Sequence, residues 1–519
     1  MEVFAFEPQG LRGALVKVEV DIRRGIPGVD MVGLAAASVR ESRERVRVAL
    51  RNAGFEFPKD RVLINLSPSD LPKQGSLYDL PVALKILDAS SSLPLAPVKV
   101  LVMGELALDG SVNRIRGTLP AILEAQRFGI DRFILPAGNR GEYRMLGNSG
   151  ISTISHAREL LDICACLARG RSFHSSLEPK DGFEVAEEVE PARQGSAGAD
   201  YSDYYGNDAV VRALSVAAAG RHNIMLLGAP GAGKTMAALR FPSILPELKP
   251  ADALEVAAIW SMRGYTFLMR SSKASPPFRT PHHSASEEGM IGGGRIPLPG
   301  EISLAHKGVL FLDETPEFRR DVLQSLREPM ESGTVTIARA GRLIRFPADF
   351  QLILAANACP CGFTGREGGY CTCSPKEIGQ YWKKIGGPLL DRVDIRLLLE
   401  PPRMSSLIKR QGADSGGLRR SVEAAVSRQM ERTKSFGGVF NGRLDPDALV
   451  GFCKFAPGVK EFLYSRMDEL GLSARAGHSV LKLALTISDL DGEEMLKEIA
   501  VEEALAYRSY GEGGNYASP

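Results

Sequence analysis

The chain has 519 residues, 44% of them hydrophobic and 24% charged, a balance that excludes a disordered or low-complexity polymer. A formal net charge of +2 excludes capture of nucleic acid by bulk charge, so any such contact must come from local patches. No apolar run reaches the roughly 18 residues a membrane-spanning helix needs, the start "MEVFAFEPQG" has no basic stretch before an apolar core, and four of the seven cysteines cluster; a cytoplasmic location without membrane contact is expected.

This length suggests about three domains. Residues 1–168 carry β-like runs at 13–22, 60–68 and 98–110, with helical patterns at 38–54 and 118–129, and read as an α+β domain. Residues 169–200 are polar, acidic and without periodicity, and read as a linker. Residues 201–400 alternate strands and helices, which implies a parallel α/β sheet covered by helices. Residues 401–519 are rich in helical pattern and read as a small helical lid, ending in a frayed tail from 511.

Within 201–400, residues 223–240 carry the strongest motif. "NIMLL" reads as a buried strand, "GAPGAGKT" (228–235) matches G-x-x-x-x-G-K-[ST] in full, and "MAALRF" reads as a helix start. Gly228, Ala229, Pro230, Gly231, Ala232 and Gly233 form a loop whose amides can surround phosphate oxygens. Lys234 reaches the β- and γ-phosphates, and the Thr235 hydroxyl suits Mg²⁺. The expected ligands are therefore ATP and Mg²⁺. "GVLFLDE" (308–314) is a buried strand ending in two acids: Asp313 suits the Mg²⁺ shell, and Glu314 the polarisation of attacking water. "FQLILAAN" (350–357) ends in Asn357, which suits orientation of that water; the bland reading is a turn former.

Two arginines and one hairpin complete this set. Arg392 in "LLDRVD" suits a neighbour's γ-phosphate, or else a surface ion pair with Asp391 or Asp394. Arg475 opens a lid helix, from which it can sense phosphates. "SGTVTIARAGRLIRFPADF" (332–350) reads as a β-hairpin punctuated by Arg339, Arg342 and Arg345, either a phosphate-binding surface or a solvated hairpin with ordinary arginines. In "CPCGFTGREGGYCTC" (359–373), Cys359, Cys361, Cys371 and Cys373 offer four thiolates for Zn²⁺, although C-x-C pairs depart from the usual C-x₂₋₄-C. Four free thiols or a redox pair are the alternatives. Cys164, Cys166 and Cys453 read as buried or incidental.

These features resemble the AAA+ ATPases, in the branch of magnesium-chelatase subunits and MCM helicases. The match is closer to the ComM/YifB family, through "FRTPHHSAS" (278–286), "IGGGRIPLPGEISLAHKGVLFLDETPEF" (291–318), "LREPMESGTVTIARA" (326–340) and "CPCG" (359–362). The resemblance implies an AAA+ core, a trans arginine finger at Arg392, a sensor-2 arginine at Arg475 and a pore-facing hairpin. Two positions depart from the family pattern: Ala358 stands where proline is usual, and Thr315 where leucine is common. The first domain resembles the proteolytic domain of Lon through 64–87 and 104–136, but Leu77 stands where the serine nucleophile aligns, and Leu119 or Pro120 where the lysine does. A Lon-like accessory domain without peptidase chemistry is expected.

By resemblance, the expected function is that of a homo-hexameric DNA motor, on single-stranded or branched DNA, promoting branch migration in recombination and natural transformation. The alternatives are a chelatase motor driving Mg²⁺ insertion and an ATP-dependent protease. Stimulation of ATP hydrolysis by DNA separates the first from the other two.

Overall fold

Strict alternation sets the first strands: in β4 (Arg61–Ser67), Val62, Ile64 and Leu66 face the core while their neighbours face outward. A computed structural model describes residues 1–34, 36–90, 98–146, 150–177, 199–267, 274–339, 342–363, 370–401 and 412–508. β1 (Glu2–Gln9), β2 (Arg12–Arg23), β3 (Gly28–Val32), β4, β5 (Lys99–Val102), β6 (Phe133–Pro136) and β7 (Ile151–Ile154) form a mixed seven-stranded sheet in the order β3-β4-β2-β1-β5-β6-β7. α1 (Ala37–Asn52) and α2 (Asp79–Ala89) share a core with β1, β2 and β4, and α3 (Thr118–Arg127) joins a second cluster with Phe6 and Leu101. The strand expected over 98–110 is shorter: β5 ends at Val102, and only Glu105–Leu106 pair again, with Val112–Asn113. The break lies at Gly104, where a Cβ would stand 2.9 Å from Leu80 Cδ2.

The expected linker starts later than its composition suggests. Phe173 packs on the first core, its amide donates to Ser152 Oγ, and the Ser175 hydroxyl donates to Glu159. Residues 178–198 of that segment lie outside the described residues.

The second sheet is wholly parallel. β8 (Ile224–Gly228), β9 (Phe278–Arg279), β10 (Val309–Leu312), β13 (Gln351–Ala356) and β14 (Ile395–Leu399) run in the order β9-β10-β13-β8-β14. Between β10 and β13 lies the hairpin β11 (Thr334–Arg339) and β12 (Arg342–Pro347). Every residue of β8, β10 and β13 is buried, the continuous apolar run that a sheet covered on both faces requires. α4 (Asp208–Gly220) packs on this sheet in one cluster with the lid helices α5 (Ser415–Arg432), α6 (Ala474–Asp491) and α7 (Glu498–Ala506). The architecture is an α/β AAA+ core between a Lon-like α+β domain and a helical lid.

Polar joints fix the domains to one another. Glu142, buried in the first domain, accepts from Thr118 Oγ1 at 2.6 Å, Asn139 Nδ2 at 2.6 Å, Arg114 Nη2 at 3.0 Å and the hydroxyl of Ser261, which belongs to the helix Pro250–Arg263 of the core. Arg114 also donates to the Gly264 carbonyl and the Thr266 hydroxyl. Lid and core meet at Asp394, which accepts from Ser479 Oγ at 2.9 Å and lies 3.5 Å from His222 Nδ1. Burial pushes the Asp394 carboxyl up, but His222, Arg508 and Ser479 outweigh it and hold it at about 2.

That depression carries a pH dependence. A carboxylate held below its unfolded value stabilises the fold above the ordinary Asp range and loses that contribution as pH falls toward 2. Asp394 therefore contributes on the order of 2 kcal/mol near neutrality. In urea titrations between pH 2 and 6, the stability of Asp394→Asn is expected to be lower at pH 6 and to vary less with pH than that of wild type; parallel curves would contradict the assignment.

Candidate active site

Three adjacent strands of the parallel sheet end at one place. β8 runs into the loop Gly228–Gly233, and Lys234 opens the helix Lys234–Arg240. Gly233 caps that helix with φ +88°, a left-handed conformation that residues with a Cβ rarely adopt, and no side chain accepts from the helix's first amides. A helix start with free amides and a glycine loop is an anion cradle.

The side chains around it are polar and convergent. Lys234 Nζ donates to Gly228 O at 2.7 Å, Ala229 O at 3.0 Å and Asn357 Oδ1 at 3.0 Å. Burial lowers the Lys234 ammonium, while Asp313 and Glu314 oppose the shift. Thr235 Oγ1 donates to Asp313 Oδ2 at 2.7 Å. A hydroxyl and a carboxylate at this separation, beside a phosphate cradle, form a hard-oxygen donor set suited to Mg²⁺. The residues present thus fit a nucleotide with its magnesium ion.

Glu314 sits at φ +48°, an outlier for a residue with a Cβ, and its amide donates to Asp313 Oδ1 at 2.9 Å. Its carboxylate lies exposed, 3.9 Å from His283 Nδ1. The His283 ring lies tilted by 35° against that of His282, with ring centroids 4.0 Å apart. The pair follows β9, so the HH dipeptide, read from sequence only as a family signature, reaches the acidic strand end. The two departures from the family pattern have structural accounts. Thr315 is buried, and its hydroxyl lies 3.0 Å from Leu312 O and 3.1 Å from Ala355 O, bridging β10 to β13. Ala358 acts through its backbone: its carbonyl accepts from Trp382 Nε1 at 3.1 Å.

Arg392 and Arg475 lie elsewhere. β8 and β14 are in parallel register from Ile224↔Ile395 to Gly228↔Leu399, so Arg392, before β14, stands at the far end of the sheet from the glycine loop. Four residues of strand separate the two ends by about 13 Å. Both arginines converge on Glu331: Arg392 pairs with its carboxylate, and Arg475 Nη2 donates to it at 3.2 Å. Neither Asp391 nor Asp394 is the partner of Arg392 among the described residues. Arg475 therefore shares the Arg392 end of the sheet.

The hairpin forms in register, Arg339 opposite Arg342, with Ala340 and Gly341 outside the described residues. Arg345 is exposed on β12. A Cβ at Gly10 would meet the Arg345 carbonyl at 2.7 Å, so the β1–β2 turn of the first domain abuts this strand. A second basic surface was not foreseen. A cleft of about 570 Å³ between the first domain and the glycine-rich insert is lined by Gln74, Arg116, Arg263, Glu288 and Arg295, among others. Only their convergence from four distant segments shows them to be neighbours.

The Lon-like region holds no serine–lysine pair among the described residues. The Ser76 hydroxyl donates to Glu105, and Lys73 Nζ donates to the carbonyls of Gly33, Leu66 and Pro68. The cysteine loop brings four thiols together: the Sγ atoms of Cys359, Cys361, Cys371 and Cys373 lie within 4.8 Å of one another. Cys164 is buried, and Cys166 and Cys453 are half-buried. No helix among the described residues is long and apolar enough to cross a membrane.

Comparison with known proteins agrees with this architecture. Three segments match family descriptions: "Magnesium chelatase, subunit ChlI" over residues 200–407, "Subunit ChlI of Mg-chelatase" over 18–139, and "Magnesium chelatase, subunit ChlI C-terminal" over 412–508. The chain is 39% identical to the uncharacterized protein YifB of Escherichia coli over 503 residues, 96% of this chain and 95% of that protein. It is 38% identical to the competence protein ComM of Haemophilus influenzae over 509 residues, 98% and 97% of the two chains. A Lon protease of Syntrophomonas wolfei is 27% identical over 135 residues, 25% of this chain and 16% of that protein. Membership of a magnesium-chelatase-like AAA+ family implies ATP and Mg²⁺ as ligands. The chain belongs to the ComM/YifB family of magnesium-chelatase-like AAA+ proteins.

Proposed function

We propose that this protein is a cytoplasmic ATPase that works as a homo-hexameric motor on single-stranded or branched DNA, promoting branch migration during recombination. The observation that carries the reading is the meeting of Lys234, Thr235, Asp313 and Asn357 at adjacent strand ends. Thr235 and Asp313 would hold Mg²⁺, which would supply neutralisation of the charge that develops in phosphoryl transfer. The chain's own groups do the rest. The Gly228–Gly233 amides and Lys234 hold the phosphates, while Thr235 and Asp313 hold the ion. Glu314 polarises water, and Asn357 orients it.

Arg392 and Arg475 stand away from this chain's own glycine loop, an arrangement that suits action on a neighbour's nucleotide and hence a ring. The 38% identity to a competence protein supports DNA uptake or recombination as the setting. The basic hairpin supports DNA as the polymer moved. Zn²⁺ on the four clustered thiols belongs to the same reading, in a structural role.

The hairpin has its own test. Each phosphate contact releases counterions, so log K for DNA falls with log salt. The triple variant Arg339→Ala/Arg342→Ala/Arg345→Ala is expected to flatten that slope and abolish stimulation by DNA, with basal ATPase retained. Fluorescence anisotropy at several salt concentrations reads the slope. An unchanged slope would move the DNA contact off the hairpin, and the Arg116–Arg263–Arg295 cleft is the next surface to test.

A further inference from the structure

Three of the four thiols lie at separations near the edge of a metal tetrahedron, and the fourth, Cys373, lies within 4.8 Å of each. Cys359 Sγ lies 3.3 Å from Cys361 Sγ and 3.7 Å from Cys371 Sγ, and Cys361 Sγ lies 3.5 Å from Cys371 Sγ. A single zinc ion at about 2.3 Å from each sulfur requires edges of about 3.8 Å. A disulfide requires about 2.05 Å, which none of these separations approaches. Four-sulfur tetrahedral sites select zinc or iron among the available metals.

The cluster also touches the nucleotide cradle. Cys359 follows Asn357 by two residues, and Asn357 accepts from Lys234. The turn closes through Gly362 N donating to Cys359 O at 3.0 Å. At Gly362, with φ +79°, a Cβ would stand 2.6 Å from Pro230 Cδ, so the turn lies directly on the glycine loop. The second pair, Cys371 and Cys373, leads into Ser374, which caps the helix Pro375–Ile385 in a capping box with Glu377. Trp382 of that helix donates to Ala358 O. A metal ion here would tie the exit of β13, the start of this helix and the cover of the glycine loop into one unit.

We propose that Cys359, Cys361, Cys371 and Cys373 bind one Zn²⁺ as thiolates, releasing their protons to solvent, and that this ion holds the Cys359–Gly362 turn against Pro230, so that nucleotide affinity depends on it. The second half rests on reading Gly228–Thr235 as the ATP site. If metal loss leaves the competent loop conformation about one-tenth populated, the apparent Kd for nucleotide rises about tenfold.

The test uses the full chain. Elemental analysis is expected to find one zinc per chain, and Co²⁺ substitution to give the thiolate charge-transfer and tetrahedral d–d bands. Binding of a fluorescent ATP analogue is then compared for the zinc form, the chelator-stripped form, the stripped form returned to Zn²⁺, and Cys371→Ser/Cys373→Ser. Stripped and variant proteins are expected to bind about tenfold more weakly, with affinity restored by Zn²⁺ in the stripped wild type alone. Protein that neither carries zinc nor takes up Zn²⁺ or Co²⁺, or that carries iron instead, overturns the zinc site. Equal affinity with and without metal overturns the coupling. Lys234→Ala keeps its zinc and loses nucleotide; if it binds nucleotide like wild type, the ATP-site reading fails, not the zinc site.

Discussion

Arg392→Ala is expected to bind ATP as tightly as wild type and to hydrolyse it about a thousandfold more slowly, the scale of an arginine finger acting in trans. Arg392 sits before β14, and the register with β8 puts it at the opposite end of the sheet from the glycine loop of its own chain. Its guanidinium is held by Glu331, which also holds Arg475, so two cations are presented together. A cation on a neighbour's γ-phosphate stabilises charge that develops only in the transition state, so its loss lowers kcat and spares binding. Mixing supplies the stronger check. Lys234→Ala subunits lack a working cradle but keep Arg392, and Arg392→Ala subunits keep the cradle. In equal random mixtures about a quarter of interfaces combine an intact cradle with an intact arginine, so activity should return toward that fraction. Two inactive proteins that stay inactive when mixed would contradict the trans assignment.

Glu314→Gln is expected to reduce kcat by about 10²- to 10⁴-fold, the range of a positioned general base, while ATP stays bound. The substitution keeps size and backbone, which matters because Glu314 holds φ +48° and a change of shape would disturb Asp313 beside it. It removes the carboxylate's ability to take a proton from water. The bound, unhydrolysed nucleotide should also stabilise the ring, so sedimentation with ATP should show the assembled form accumulating. Turnover at the wild-type rate would assign the base elsewhere, and His283, 3.9 Å from Glu314, would be the group to examine.

Much of this site is legible in the sequence. The glycine loop, Asp313, Glu314 and Asn357 are legible because buried parallel strands read as unbroken apolar runs, and their last residue marks the strand end where ligands gather. Their adjacency follows from the strand order β9-β10-β13-β8-β14, which local pattern does not give. The Glu331 bridge was not legible. It joins Arg392 to Arg475 across the lid boundary, and one acidic residue at the end of a short helix carries no periodic signal. The Glu142 joint was hidden for the same reason: Thr118 and Asn139 meet it within the first domain, and Ser261 becomes its partner only when the two domains dock. The start of the linker is obscured because residues 170–177 are polar in composition, yet Phe173 packs on the first core and Ser175 donates to Glu159.

Coupling of ATP hydrolysis to DNA is read by the steady-state ATPase rate with and without DNA. The assay compares no polymer, duplex, single strand and a forked substrate, at low and moderate salt, with Glu314→Gln as the blank. Single-stranded or forked DNA is expected to raise the wild-type rate severalfold above the DNA-free rate, with an increase that shrinks with salt, and the hairpin triple variant is expected to show the basal rate alone. A wild-type rate that is measurable, abolished in Glu314→Gln, and unchanged by every DNA would contradict the motor while leaving the ATPase intact.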